Sequence, residues 1–467
     1  MKPCSALFFS LFILIITALP IKVDAIPAFP GAEGFGANSK GGRGGRVLVV
    51  TNLNNGGSGS LRACIEASGP RSCVFRTGGI IKLNTQVQVT NPYLTIAGQT
   101  APGDGVTLRI DPASTLGPMK IMTHDVIVRY LRFRPGNGTL ENLPGESEVL
   151  ANIDAITIGN NRQSGQLYNI IIDHCSFSWG VDENVNIWDD AKNITFQWNI
   201  ISEGLHCVPG NSECHSKGMI IGSEGSQKIS IHHNLFAHNV GRNPMIKTAG
   251  IVDLVNNIMH TPQNIVGSVD PQYGRFNSNW VGNYVQAKDD SSYGILKLGS
   301  SLLSCANKYY LKNNIEINNK ASLNNPEANF VNPLRFGRKC IVQNRYDAAP
   351  VTTTSPFQAF DDVLENAGAR LPTRDAIDKR IINDVRNKIY RIVNDPSEVG
   401  GWLLTTSHTT QADDDRDGMV DSWELTHFGN LSRGSSSDSS SDFDGDGYTD
   451  LEEYMNGTDP KKPESDG

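Results

Sequence analysis

The sequence predicts an all-β fold of the parallel β-helix type, in which short strands stack in successive coils. Segments rich in β-branched and aromatic residues recur through the middle of the chain, at 126–133, 170–177, 194–201, 229–236 and 251–258. Each alternates its residues with the period of two that is typical of a strand. The later segments end in an asparagine at an equivalent place: Asn199, Asn234, Asn257, Asn283 and Asn314.

The spacing of these asparagines separates a solenoid from other all-β folds. Their separations are 35, 23, 26 and 31 residues, as a repeating coil with loop insertions of variable length would produce. Stacked coils would bring the asparagines into register, where side-chain amides can hydrogen-bond along a ladder. Cys175 lies 24 residues before Asn199 and occupies the same place. A β-sandwich or a propeller is the alternative, but neither requires one asparagine at a fixed place per turn.

Residues 1–25 have the layout of a secretory signal peptide. Lys2 precedes an apolar run from Ala6 to Leu19, and residues 23–25 offer a small-residue cleavage site. A membrane anchor is the alternative, but the run is shorter than the roughly 20 residues that span a bilayer. We therefore expect a secreted, extracellular protein that begins near Ile26 and has no membrane segment after cleavage.

The cysteines fit an oxidising compartment. Three pairs can form disulfides, namely Cys64 with Cys73, Cys207 with Cys214, and Cys305 with Cys340. Cys175 is left over, and we expect a buried apolar thiol. A catalytic nucleophile beside His174 is the alternative, but neighbours in a strand point to opposite faces. Asn-x-Ser/Thr sequons begin at Asn137, Asn193, Asn430 and Asn456.

Charge is distributed unevenly along the chain. The net charge is −8 over the whole sequence and −9 without residues 1–25, while residues 413–467 alone carry 16 acidic and 4 basic side chains, or −12. The remainder is therefore about +3, which is compatible with an anionic substrate. No basic run or stacking motif supports binding to nucleic acid. We expect a monomer.

Two further segments flank the repeats. Residues 31–45 are rich in glycine but lack the context of a phosphate-binding loop, so we interpret them as turns. Residues 373–392 place five apolar residues on one helical face: Ile377, Ile381, Val385, Ile389 and Ile392. This helix is expected to pack on the solenoid or to cap one end, within a domain of residues 26–400.

The C-terminal residues 401–467 contain two acidic loops with the spacing of twelve-residue calcium loops. Carboxylates stand at loop positions 1, 3, 5, 9 and 12, and a glycine stands at position 6. The first set is Asp413, Asp415, Asp417, Asp421 and Glu424, and the second is Asp442, Asp444, Asp446, Asp450 and Glu453. A solvated acidic tail is the alternative, but two full matches favour a small EF-hand-like module that binds Ca²⁺.

A second group of charged residues lies within the repeats. Asp154 stands one coil before the segment that contains Asp173 and His174, and Asp182 and Asn186 follow that segment. Further along come three basic residues, Lys217, Arg242 and Lys247. In stacked coils these carboxylates and cations would meet on one lateral surface.

Several motifs resemble the pectate lyases of polysaccharide lyase family 1. The first three motifs are residues 29–36, 57–62 and 96–103. The others are Ile172-Asp-His-Cys-Ser-Phe-Ser-Trp-Gly, His232-His-Asn and Arg242-Asn-Pro. The resemblance covers about residues 26–400. It implies a right-handed parallel β-helix and the Ca²⁺-dependent β-elimination of (1→4)-α-D-galacturonan to 4,5-unsaturated products.

The resemblance also implies the roles of individual residues. Arg242 takes the place of the base that removes the C5 proton, although pairing with a substrate carboxylate is the plainer role for an arginine. Lys217 and Lys247 take the places of residues that bind substrate. The calcium carboxylates of the family map onto Asn152, Asp154, Asp182 and Asn186, two of which are amides here. His174 is expected to be a stacked structural histidine.

Three other functions are compatible with a β-helix that carries charged residues on one lateral surface. A pectin lyase acting on methyl-esterified substrate lacks calcium carboxylates, so Asp154 and Asp182 argue against it. A β-helix hydrolase would need clustered aspartates on neighbouring coils, and the sequence offers no such group. A non-catalytic polysaccharide-binding solenoid is left open by Asn152 and Asn186.

Overall fold

The computed structural model describes residues 26–111, 114–137, 152–161, 163, 166–208, 214–262, 267–269, 273–288, 296–298, 308–317, 331–332, 340–403 and 411–464. The expected signal peptide, Cys4 and Cys305 lie outside these residues. Within the described residues, no helix is long and apolar enough to cross a membrane.

Three parallel sheets, here named A, B and C, run the length of the solenoid with 11, 9 and 9 strands. Sheet A comprises β1 (Arg46–Val50), β2 (Arg71–Phe75), β5 (Leu94–Ala97), β8 (Val126–Arg129), β11 (Tyr168–Asp173), β14 (Lys192–Gln197), β17 (Gln227–His232), β20 (Gly250–Val255), β23 (Phe276–Val281), β26 (Lys308–Lys312) and β29 (Ile341–Val342).

From β2 to β28, each strand of sheet A is followed along the chain by one strand of sheet B and one of sheet C. Sheet B comprises β3 (Gly79–Leu83), β6 (Val106–Ile110), β9 (Arg132–Phe133), β12 (Ser176–Ser178), β15 (Ile200–Ser202), β18 (Leu235–Ala237), β21 (Ile258–Thr261), β24 (Tyr284–Ala287) and β27 (Ile315–Glu316). Sheet C comprises β4 (Val87–Val89), β7 (Met119–Ile121), β10 (Ile156–Ile158), β13 (Glu183–Ile187), β16 (Lys217–Ile221), β19 (Met245–Ile246), β22 (Gly267–Val269), β25 (Leu296–Leu298) and β28 (Val331–Asn332). Each strand pairs with the strand one coil away, so the predicted parallel β-helix is confirmed.

Each repeating segment that the sequence suggests as one strand is two strands joined by a bend. The bend residue adopts a left-handed backbone conformation, with φ of 50° at His174, 55° at Trp198 and 54° at His233. Non-glycine residues rarely take this conformation, and it turns the chain sharply. The chain therefore passes from sheet A to sheet B at this point.

The expected asparagine ladder follows directly after the bends. Asn199 Nδ2 donates to Asn234 Oδ1 at 2.9 Å, and Asn234 Nδ2 donates to Asn257 Oδ1 at 3.0 Å. The same bond continues to Asn283 at 3.0 Å and from there to Asn314 at 2.8 Å. Cys175 begins the ladder, since its backbone N–H donates to Asn199 Oδ1 at 2.8 Å. All are buried, so the ladder satisfies polar groups that water cannot reach.

Apolar side chains fill the inside of the coils. Ile, Val, Leu and Phe residues from all three sheets form one continuous core along the solenoid axis. Cys175 is a buried free thiol within this core, as expected. Burial raises the pKa of this thiol, which therefore stays protonated. Disulfides join Cys64 to Cys73 and Cys207 to Cys214, as predicted.

Five α-helices lie outside the coils in the described chain: α1 (Leu61–Glu66), α2 (Pro356–Asn366), α3 (Ala376–Arg386), α4 (Asp421–His427) and α5 (Asp450–Asn456). Helices α2 and α3 cover the outer face of sheet B, where residues such as Leu364 and Ile381 meet Leu235. This position confirms that the predicted helix packs on the solenoid.

The predicted extent of that helix is wrong at its C-terminal end. Helix α3 ends at Arg386, and Lys388 has a left-handed φ of 55° that ends the helical path. Ile389 and Ile392, which were expected on the buried face, are 38% and 42% exposed. The apolar pattern continues in the sequence, but the chain turns away from the helix axis.

Candidate active site

The charged residues named by the sequence meet where strands of sheet C begin. Asp154 precedes β10 by two residues, Asp182 immediately precedes β13, and Arg242 precedes β19 by three residues. The three strands lie in adjacent or next-adjacent coils because β13 pairs with β10 and β16, and β16 pairs with β19. The parallel register therefore assembles one site from segments about 90 residues apart.

Asp154 is a buried acid of the site, 3% exposed, with three hydrogen-bond donors around it. Its Oδ1 accepts from the backbone N–H of Glu183 at 3.2 Å. Its Oδ2 accepts from Thr157 Oγ1 at 2.9 Å and from Asn186 Nδ2 at 3.0 Å. Burial, followed by the nearby charge of Asp182, raises the pKa of Asp154 above its ordinary range. A cation placed here would remove this cost by pairing with the carboxylate.

Asp182 and Glu183 complete an acidic cluster with Asp154. One carboxylate oxygen from each of the three lies within 4.8 Å of the others. Asp182 Oδ1 also lies 3.0 Å from Nδ1 of His215. Asn186 Oδ1 is buried and has no hydrogen-bond partner in the described chain. The cluster thus offers three carboxylates and an unpaired amide oxygen to one small space.

Arg242 faces this cluster across the coil boundary. Its guanidinium forms an ion pair with Glu183, and burial lowers the pKa of Arg242 while Asp182 and Asp154 oppose this shift. The backbone of Arg242 is left-handed, with φ of 57°. Gly218 permits its close approach, because a Cβ there would meet Arg242 O at 2.7 Å.

The two lysines occupy different positions. Lys217 begins β16 opposite Glu183, and its Nζ points toward Gly241, directly beside Arg242. Lys247 follows β19, and its backbone N–H donates to Ile221 O at 2.7 Å. Neither lysine lines the groove that contains the acidic cluster, although the coils of both contribute other residues to it, namely Ile220 and Arg242.

An open groove of about 590 Å³ runs over this part of sheet C. It is lined by Asp154, Asp182, Asn186 and Arg242, together with Asn152, as the sequence predicts. It is also lined by Glu183 and by two residues that were not predicted from the sequence, Lys120 and Trp188. Lys120 Nζ donates to Asn161 Oδ1 at 2.7 Å. Only the register of the coils reveals that Lys120 and Trp188 share the groove.

His174 has the structural position that was expected. Its ring stacks on Tyr130 with 4.8 Å between ring centres and on Trp198 with 6.0 Å. Its Nδ1 lies 2.8 Å from Asp173 Oδ1 on the outer side of sheet A. It is therefore remote from the groove on sheet C.

Comparison with known proteins gives consistent results over nearly the whole chain. "Probable pectate lyase C" of Aspergillus flavus is 34% identical over 440 residues, covering 93% of this chain and 94% of its own length. The protein of the same name from Neosartorya fischeri is 34% identical over 448 residues, covering 94% and 96%. The chain belongs to the pectate lyase family.

A solved structure supports the fold of this pectate lyase family member. Jun a 1, the major allergen from cedar pollen, superposes with a TM-score of 0.50 at 20% identity, covering 72% of this chain and 92% of its own. No family model matches the chain.

The groove of this pectate lyase family member has the chemistry that suits calcium. Ca²⁺ prefers carboxylate and amide oxygens in flexible arrangements. Asp154, Asp182 and Glu183 supply carboxylates, and the unpaired Oδ1 of Asn186 supplies an amide oxygen. These donors fit the ion even though Asn152 and Asn186 replace carboxylates that the resemblance implies.

The two C-terminal loops also bring their acids together. Asp413, Asp415 and Asp417 form one cluster, and the corresponding residues Asp442, Asp444 and Asp446 form another. Each loop closes on its ninth residue, since Asp414 N donates to Asp421 Oδ1 and Phe443 N donates to Asp450 Oδ1, both at 2.9 Å. Each leads into a short helix, α4 or α5, but residues 428–441 before the second loop contain no helix.

The twelfth residue of each loop is buried without a partner. Glu424 and Glu453 are both 0% exposed, and neither carboxylate oxygen of either residue has a hydrogen-bond partner in the described chain. Burial and neighbouring carboxylates raise the pKa of Glu424 to about 8 and that of Glu453 to about 9. A buried unpaired carboxylate is costly, so these side chains need a proton or a cation.

The loops are docked on the solenoid. Met419, Leu451 and Met455 pack against Val47 and Val74 of sheet A. A buried ion pair joins Arg76 to Asp413 at 2.8 Å, and a second joins Arg43 to Glu452 at 2.8 Å. The tail therefore covers the outer face of the first coils, away from the groove on sheet C.

Proposed function

We propose that the protein is a secreted, calcium-assisted pectate lyase that cleaves (1→4)-α-D-galacturonan by β-elimination and releases 4,5-unsaturated oligogalacturonides. The observation that carries this proposal is the position of Arg242 beside three clustered carboxylates in an open groove. Family membership supports the reaction class. Secretion depends on residues 1–25.

In this mechanism Arg242 accepts the proton from C5 of a galacturonate residue. The C4–O bond then breaks, a C4=C5 double bond forms, and the leaving oxygen takes up a proton. Calcium held by Asp154, Asp182, Glu183 and Asn186 would bind the uronate carboxylate and make the C5 proton more acidic. Burial lowers the pKa of Arg242 and so favours the neutral guanidine that the base requires, whereas the charges of Asp182 and Asp154 oppose this shift and a cation bound between them would offset that opposition.

The remaining residues position the base and the substrate. Glu183 holds the Arg242 guanidinium over the cluster. Lys217 and Lys247 would bind carboxylates of neighbouring sugar residues; this is supported by Lys217 Nζ, which points toward Gly241, and by Lys247, which lies five residues after Arg242. A lysine gives charge without the bidentate geometry of an arginine, so Lys247 would hold its carboxylate less rigidly.

We further propose that the two C-terminal loops bind Ca²⁺ for stability and take no part in cleavage. The loop acids are Asp413, Asp415, Asp417, Asp421 and Glu424, and Asp442, Asp444, Asp446, Asp450 and Glu453. The buried, unpaired carboxylates of Glu424 and Glu453 support this, because a cation would supply their missing partner.

The test is turnover of polygalacturonate by the purified mature protein, followed by the absorbance of the unsaturated product with and without a chelator. We expect product formation that the chelator abolishes and that added Ca²⁺ restores. Methyl-esterified pectin serves as a parallel substrate, and faster turnover of pectin without calcium would indicate a pectin lyase. Saturated products alone would mean hydrolysis and would refute the proposal.

A further inference from the structure

Trp188 is an aromatic residue of the groove that the mechanism leaves without a role. It follows strand β13 directly and stands two residues beyond Asn186. It is half-buried, whereas Trp179 and Trp280 in the interior are both 0% exposed. Its ring therefore presents surface to the same groove that contains Arg242.

The ring is held in place from two sides. Gly222 of the next coil lies beneath it, and a Cβ at that position would overlap the ring. Tyr273 meets the ring edge-on, with 5.8 Å between ring centres and an angle of 81° between the planes. A large aromatic side chain fixed in this way loses little conformational entropy when a ligand binds.

A basic side chain, Lys247, lies two coils beyond the ring, with Gly222 in the coil between them. Gly222 N donates to Ile187 O at 2.8 Å and Lys247 N donates to Ile221 O at 2.7 Å, so Trp188, Gly222 and Lys247 occupy equivalent places in successive coils. No ion pair within the described residues engages Lys247. Trp188 and Lys247 therefore stand on the same face of sheet C with the small residue Gly222 between them, and the Lys247 ammonium is open to an anionic group.

Ile220 adds apolar surface to the groove. It pairs with Asn186 on one side and Met245 on the other and is 5% exposed. The groove thus combines the acidic cluster with two apolar side chains, Trp188 and Ile220.

We propose that Trp188 and Lys247 form a subsite for a galacturonate residue next to the one that Arg242 attacks. The apolar C–H face of the sugar ring stacks on Trp188, and its carboxylate pairs with the Lys247 ammonium. Trp188 lies about 7 Å along the strand from Asn186, at roughly 3.3 Å per residue. The stacked ring is therefore a neighbour of the reacting ring. This subsite rests on the proposed function and adds the recognition of chain length to it.

The first test compares Trp188→Ala with wild type in turnover of polygalacturonate and of trigalacturonate. Removing the platform should raise KM for the polymer about three- to tenfold, the range that an aromatic contact supplies, and leave kcat nearly unchanged. Trp188→Phe should restore most of the affinity. Phe357→Ala is the matched control, because Phe357 is an aromatic residue on α2, remote from the groove, and is 56% exposed.

The second test measures intrinsic tryptophan fluorescence during titration with a saturated oligogalacturonate. Wild-type protein should show a change that Trp188→Phe lacks. If wild type cleaves polygalacturonate and a folded Trp188→Ala protein has the same KM as wild type, the subsite is refuted and the lyase proposal stands. A fluorescence change that depends on Trp188, in a wild-type protein that produces no unsaturated product, would support the subsite and refute the lyase.

Discussion

At the scale of single residues, the assignment of Arg242 as the base can be separated from a role in substrate binding. Arg242→Lys keeps the positive charge but cannot reproduce the position of the guanidinium. If Arg242 accepts the C5 proton, kcat should fall on the order of 10²–10⁴-fold, as expected when a positioned base is lost. The measurement is steady-state turnover of polygalacturonate. Arg46→Lys, at an exposed arginine of β1, should leave both kcat and KM unchanged.

A different result is expected if Arg242 only binds a carboxylate. Lysine would then serve tolerably, and the loss would appear mainly as a higher KM. Near-normal kcat in Arg242→Lys would therefore refute the assignment of the base.

Asp154→Ala should behave as a metal-site variant. The carboxylate of Asp154 is buried and lies against Asp182 and Asn186, so its removal weakens any calcium site there. We expect activity to fall at low Ca²⁺ and to recover in part at high Ca²⁺, because a weaker site can be filled by mass action. A calcium titration of kcat measures this, with the exposed Asp361→Ala on α2 as the control. Unchanged calcium dependence would exclude Asp154 from the catalytic metal site.

The sequence predicted part of the site because its residue types are distinctive. The structure brings Asp154, Asp182 and Arg242 together as expected. Trp188 was not predicted, because its significance depends on Gly222 of the next coil, 34 residues away. The hydrophobic pattern cannot show this pairing, since loop insertions between coils hide the register.

At the scale of elements, the asparagine ladder should contribute to stability through its buried bonds. Asn257 accepts from Asn234 Nδ2 at 3.0 Å and donates to Asn283 Oδ1 at 3.0 Å and to Ile231 O at 2.8 Å. Asn257→Ala leaves these buried partners unsatisfied, so the free energy of unfolding should fall by roughly 2–4 kcal/mol. Thermal or denaturant unfolding measures the loss.

The matched control for the ladder is Asn54→Ala, at an exposed loop asparagine. This substitution should change the free energy of unfolding by less than about 0.5 kcal/mol. Equal small effects at Asn54 and Asn257 would show that the ladder does not stabilise the fold.

The same element scale shows what a repeat pattern can predict. The period of the asparagines predicted the fold correctly, because one buried amide at the same place in every coil requires coils that stack in register. The boundaries were harder, since Trp198 and His233 bend the chain through a left-handed backbone that the alternating pattern does not reveal. The end of α3 was missed for a similar reason, because Ile389 and Ile392 continue the helical period after the helix has ended.

At the scale of the whole molecule, the tail links calcium to the stability of the first coils. Its apolar residues cover Val47 and Val74, and the ion pair between Arg76 and Asp413 anchors it. Docking keeps Glu424 and Glu453 buried as unpaired carboxylates, which opposes docking unless a cation or proton is bound. Calcium bound in the loops would therefore favour the docked tail.

This linkage predicts a different calcium response for stability and for catalysis. In the double variant Glu424→Gln with Glu453→Gln, the neutral side chains keep their shape without a charge to neutralise. Added Ca²⁺ should raise the melting temperature of wild type, and the variant should lose most of this rise while remaining at least as stable as wild type in chelator. Both proteins should turn over polygalacturonate at similar rates in saturating Ca²⁺, because the tail lies on sheet A and the groove on sheet C. Thermal unfolding with and without chelator, alongside turnover, gives both readouts.

A normally folded variant that has lost nearly all turnover would place the tail in the active site. An undiminished calcium-induced rise in its melting temperature would remove the loops as the stabilising sites and leave the acidic cluster around Asp154 as the source of the calcium effect.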